Sequence, residues 1–139
     1  FGDNVEDTLG HGRFMLFYLV SGVAAALLQA GLYPASRVPM VGASGAISGV
    51  LGAYLLLFPY ARVLTLVLLL PFVRLVHIPA MIVLGFWFLL QLWYATISYG
   101  AQLAGRAESG GPAWFAHIGG FLAGMLLLLI LRPRRSARL

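Results

Sequence analysis

The chain has 139 residues, of which 61% are hydrophobic and only 9% charged, with a formal net charge of +5. Soluble domains carry charge on about a quarter of their residues, so this composition excludes a soluble globular class and reads as one polytopic membrane domain. With no cysteine in the chain, a disulfide framework, a thiolate metal site and a cysteine nucleophile are excluded as well.

Residues 1–12 are polar and hold Asp3, Glu6 and Asp7, three of the four acids. Val5, Thr8 and Leu9 among them predict a short amphipathic turn ending at Gly10 or Gly12. Its acids are expected to be solvated, or one of Glu6 and Asp7 tied to Arg13. Starting at Phe1 instead of Met, the sequence reads as a fragment of a longer protein. Residues 14–30 predict the first membrane span, near the short end of the usual range. Ser21, Gly22 and Ala24 to Ala26 make one side of it small, and Gln29 falls at its far end. Residues 31–40 carry Pro34, Pro39 and Arg37 and predict a loop.

The second span runs from about 43 to 58 and opens on Gly42-Ala43-Ser44-Gly45. Pro59, Tyr60 and Arg62 close it at an interface. Residues 63–78 are apolar and rich in β-branched side chains, too short to cross, and broken at Pro71. They predict an interfacial hairpin-like connection, with His77 an interface residue. The third span, 79–99, starts on a proline, which suits a helix N-terminus. Its aromatic face, with Phe86, Trp87, Phe88, Trp93 and Tyr94, reads as core and interface packing. A Gly-rich loop follows over 100–112. Trp114 and Phe115 mark an interface, and 115–131 form the fourth span. The fold class is therefore all-α, with four transmembrane helices and a short interfacial connection between the second and third.

Basic residues favour the cytoplasmic side of a membrane. With the tail residues Arg132, Arg134, Arg135 and Arg138 placed there, four crossings put Arg13, Arg62 and Arg74 on the same side. Arg37 and Arg106 alone fall outside. The basic tail then serves topology and not nucleic-acid binding. The same orientation turns the Ser44 end of its helix and the His117 end of the last helix toward one side, the outer one.

Polar groups are costly in hydrocarbon, so a histidine just inside a spanning helix invites a functional reading. Ala116, Gly119, Gly120, Ala123 and Gly124 surround His117 with small residues. Gly45, Gly49 and Gly52 form a matching stripe on the Ser44 helix. Two such helices can pack with backbones nearly touching, which would bring Ser44 and His117 within hydrogen-bond reach. A hydroxyl with a base waiting for its proton is an activated nucleophile. The acids lie outside the apolar spans, so a Ser–His dyad is predicted, with His117 oriented by packing or a neutral group. Free backbone N–H groups at the start of the Ser44 helix, around Gly42, Ala43 and Gly45, would stabilise the oxyanion. Gly42 and Gly45 would leave room for a substrate backbone. Gly49, Gly52, Gly120 and Gly124 are assigned to helix packing. The reading requires no metal and no cofactor.

Gly42-Ala43-Ser44-Gly45, together with Ala116-His117-Ile118-Gly119-Gly120-Phe121-Leu122-Ala123-Gly124, resembles the rhomboid intramembrane serine proteases. The opening Phe1-Gly2-Asp3-Asn4-Val5-Glu6-Asp7 and Gly10-His11-Gly12-Arg13-Phe14 resemble the segment after the second helix of bacterial members. The resemblance covers essentially the whole chain. It implies Ser44 as nucleophile, His117 as general base, and hydrolysis of peptide bonds in or near the transmembrane segments of membrane-protein substrates. It implies an integral protein of the bacterial inner membrane, and equates the four spans with the last four of a six-helix core. The third span and its following loop would then be the region that admits substrate laterally. The family's His-x-x-x-Asn pattern, which helps bind the oxyanion, would precede Phe1, so the chain by itself is expected to have little activity. Many members also carry a tyrosine against the histidine ring, four residues after the nucleophile. Here that position is Ser48, which leaves the support of His117 open. The alternative function is a catalytically inactive relative that binds client transmembrane helices. A transporter would need charged groups at mid-membrane and repeat symmetry, and the sequence shows neither clearly.

Overall fold

The computed structural model describes residues 1–106 and 112–133. Glu108 and the tail arginines Arg134, Arg135 and Arg138 lie outside the described residues. The order of elements is α1 (Gly2–Leu9), α2 (His11–Leu32), α3 (Ser44–Leu57), β1 (Arg62–Leu69), β2 (Phe72–Pro79), α4 (Ala80–Leu103) and α5 (Trp114–Leu131). Three of these, α2, α4 and α5, are long and apolar enough to cross a membrane, and α3 is a shorter apolar helix of 14 residues.

The opening turn is a full two-turn helix. Val5 and Leu9, four residues apart and so on one face, are both buried. Gly10 then adopts φ +81°, which lets the chain swing from α1 directly into α2. The acids of α1 differ from expectation in one respect. Glu6 bonds to Nδ1 of His11 and not to Arg13. His11 sits two residues nearer, immediately past the glycine bend, so the carboxylate reaches it first. Asp3 and Asp7 are exposed.

Helix α3 packs most closely on α5 and next on α2. Small residues allow this. A Cβ on Gly120 would lie 1.9 Å from the carbonyl oxygen of Gly45, and one on Gly124 would lie 2.1 Å from that of Gly49. A Cβ on Gly52 would meet the Phe121 carbonyl oxygen at 2.2 Å. The α3–α5 contact is therefore backbone against backbone, the arrangement small residues permit in apolar helix pairs. The glycines of α5 do not share one face. Gly120 and Gly124 face α3, whereas Gly119 faces Leu28 and Ala25 of α2. Consecutive helical positions differ by about 100° in direction, so α5 serves both neighbours with adjacent glycines.

A side-chain core gathers Val5, Leu9, Phe17, Val50, Ala53, Tyr54, Ala80, Leu84 and Leu128, toward the C-terminal part of α3 and away from Ser44. The α3–α4 connection is an antiparallel hairpin, Arg62 pairing with Pro79 and Leu69 with Phe72. Two backbone bonds fasten its base to the bundle, from the N–H of Ala80 to Ala61 and from that of Met81 to Pro59. Leu64, Leu66, Leu68, Leu69, Phe72, Val73 and Leu75 of the hairpin are exposed. Helix α4 extends four residues past its expected end, through Gly100, to Leu103. It lies at the side of the bundle, with Phe86, Leu89 and Trp93 exposed. Its inner face meets α5 through Phe88, stacked on Phe121 with ring centroids 4.5 Å apart.

Candidate active site

Ser44 opens α3, and His117 stands one turn into α5. Because the two helices run glycine to glycine, their N-terminal ends come together. Ser44 Oγ is 3.0 Å from His117 Nε2, a hydrogen-bond distance. Ser44 is exposed and His117 half-buried. Both line a cleft of about 1060 Å³ bounded by the ends of α2, α3, α4 and α5 and by the 34–43 loop. Pro112 and Arg106 reach the same cleft.

The backbone before Ser44 is shaped by Gly42, whose φ of +118° is one that L side chains rarely adopt. Nothing lies within 4 Å of where its Cβ would be, so its space faces the open cleft. Gly45 combines two features, since it lines the cleft and is tightly packed. A Cβ there would come within 2.6 Å of Ala25 and 3.6 Å of the Ala116 carbonyl. It packs between α2 and α5 while still bordering the cleft. The first N–H in α3 with a backbone acceptor outside the regular ladder is that of Ile47, bonded to Ala43 at 3.0 Å. The N–H groups of Ser44, Gly45 and Ala46 precede the helical ladder, as the first N–H groups of any helix do. They are concentrated where the helix dipole is positive.

The support of His117 comes from residues that sequence reasoning did not single out. Its Nδ1 lies 2.8 Å from Oε1 of Gln91 on α4. Trp87 and Trp114 flank the imidazole, with ring centroids at 5.9 Å and 6.3 Å. Ser48, in the place of the tyrosine of many rhomboids, is buried and bonds back to the Ser44 carbonyl at 2.7 Å. It makes no hydrogen bond to the imidazole, whose partners are Gln91 and Ser44. Gln29 also has a part: its Oε1 accepts the Ala116 N–H at 3.2 Å, at the first turn of α5. The sequence signal for Gln91 was available, since an amide in the middle of a 24-residue apolar helix is a costly group needing a partner. Among the described residues no set of three His, Asp or Glu side chains is arranged to hold a metal.

Residues 1–134 match the rhomboid domain family. The chain belongs to the rhomboid family. It is also similar to the mitochondrial Rhomboid protein 1 of Saccharomyces cerevisiae, with 31% identity over 131 residues. That match takes in 91% of this chain and 33% of the yeast protein, so the chain spans about a third of the length of its curated relative. No solved structure matches it significantly. As a rhomboid domain with, among the described residues, three helices long and apolar enough to cross a membrane and a shorter apolar one, it is an integral membrane protein.

Proposed function

We propose that this rhomboid domain is the catalytic part of an intramembrane serine endopeptidase that cleaves membrane proteins in or near their transmembrane segments. The observation that carries this reading is the hydrogen bond between Ser44 Oγ and His117 Nε2, 3.0 Å long, on the wall of an open cleft. Ser44 attacks the scissile carbonyl carbon as its proton passes to His117 Nε2. The oxyanion that forms is stabilised by the N–H groups at the start of α3. His117 then protonates the leaving amine, the C–N bond breaks, and the acyl group stays on Ser44. Water, activated by the same imidazole, releases it and restores the hydroxyl. The seven-to-two division of arginines supports a cytoplasmic C-terminal tail, with the cleft on the opposite side.

The test uses the full-length protein in detergent or bilayer discs. A fluorophosphonate labels Ser44, and a reporter with a transmembrane segment is cleaved. Ser44→Ala abolishes both, and His117→Ala slows cleavage by at least about a hundred-fold, the usual scale of acid–base assistance. Undiminished cleavage by Ser44→Ala overturns the assignment. A wild-type protein that binds such reporters without labelling or cleavage is instead a client-binding scaffold.

A further inference from the structure

An imidazole can act as base toward Ser44 only when the nitrogen facing the hydroxyl is unprotonated. Which nitrogen carries the proton is set by the partner of the other one. We infer that Gln91 is a positioning residue: its side-chain carbonyl holds the His117 proton on Nδ1 and leaves Nε2 free to take the proton of Ser44. The catalytic consequence rests on the protease reading, while the tautomer itself does not.

Three observations carry the inference. First, Oε1 of Gln91 is 2.8 Å from Nδ1, and its Nε2 donates to the carbonyl of Trp87, 3.4 Å away on the same helix. A reversed amide would set two carbonyl oxygens against each other. It would also turn an N–H toward Nδ1, which would then keep its lone pair and force the proton onto Nε2, facing Ser44. Second, Gln91 is only 6% exposed. Water does not compete for its carbonyl, and a buried acceptor left unmet is costly. Third, the other neighbours of the imidazole cannot replace it. Trp87 and Trp114 offer an indole N–H, which donates and never accepts. The described acids Asp3, Glu6 and Asp7 all sit on α1, where Phe1 packs on Tyr54 in the last turn of α3, at the end opposite Ser44. Arg106, on the cleft, is a donor as well. A neutral amide thus occupies the place that a carboxylate holds in a Ser–His–Asp triad. The bond also ties the dyad to α4, a helix that otherwise meets α5 through rings such as Phe88 on Phe121.

The experiment is nitrogen NMR of the full-length protein in bilayer discs near neutral pH, with the His117 signal assigned by its loss in His117→Ala. Wild type should show protonated Nδ1 and bare Nε2. In Gln91→Met, of similar size but with no acceptor, the two tautomers should mix. The reporter kcat should then fall at least about ten-fold while KM stays within about two-fold. Gln91→Glu retains an acceptor and should restore both tautomer and rate. A wild-type Nε2–H, or an unchanged tautomer and kcat in folded Gln91→Met, overturns the inference. The wild-type spectrum decides this even where Gln91→Met fails to fold. A wild-type protein that cleaves nothing, yet keeps the Gln91-dependent tautomer, overturns the protease reading and supports the lock.

Discussion

Ser44 and His117 were legible as residues because each interrupts an otherwise apolar run near its end. A polar atom there needs a partner, and the small residues around both narrowed where the partner could be. Gln91 was not legible in the same way. An amide flanked by Leu90 and Leu92 signals that it needs a partner, but not which one, and that partner lies on another helix. Gln29 escaped for a similar reason, since an end-of-helix amide can bond water as easily as a backbone N–H. Gly42 supports a residue-scale prediction. Its φ of +118° strains any other residue by about 1–3 kcal/mol, and that strain is relieved only by shifting the start of α3. Gly42→Ala should therefore lower kcat of the proposed protease about ten-fold, since each 1.4 kcal/mol of barrier is a factor of about ten. The thermal midpoint should fall as well, because open space around the position does not relieve backbone strain. Parallel measurement of cleavage and unfolding checks this.

Among the elements, the α3–α5 pair was readable from its glycine spacing, and the partition of α5's glycines was not. Periodicity places Gly119, Gly120 and Gly124 on one broad stripe. Only the third helix, α2, splits that stripe into two contacts. The consequence is a ranking. An added Cβ at Gly120 or Gly124 strikes a backbone oxygen at 1.9 Å or 2.1 Å, which nothing short of helix separation relieves. At Gly119 it meets Cβ and Cδ2 of Leu28 at 3.0 Å, a contact that a shift of a few tenths of an ångström relieves. Overpacking costs typically about 1–3 kcal/mol. Gly120→Ala and Gly124→Ala should fall in or above that range, and Gly119→Ala well below it. Thermal unfolding in one detergent reads the order. Equal losses at all three positions would contradict the backbone contact. The ends of α4 were less legible. Gly100 suggested a stop, yet α4 continues past it to Leu103, because one helical glycine costs only about 1 kcal/mol.

For the molecule as a whole, composition alone settled the membrane class, and the arginine distribution supplies an orientation to be measured. Val41 and Tyr60 flank the two ends of α3 and are 89% and 79% exposed. The chain has no cysteine, so Val41→Cys and Tyr60→Cys each give it one labelled site. In sealed cells an impermeant maleimide should modify Val41→Cys and spare Tyr60→Cys until the membrane is opened. The reverse pattern would invert the proposed topology. The hairpin was foreseen as a connection but not as a paired ribbon of two eight-residue strands. Its register depends on cross-strand partners that no local pattern reveals.

Helix α3 has 14 residues and is about 21 Å long at 1.5 Å per residue. The hydrocarbon of a typical bilayer is about 30 Å thick. The neighbours α2 and α4 are longer, and Ser44 at the N-terminal end of α3 lines the cleft. Hydrolysis consumes water, a scarce reagent in oil. The truncated helix is what would let solvent descend to the bond being cut, and lipid chain length therefore becomes a natural control on the reaction.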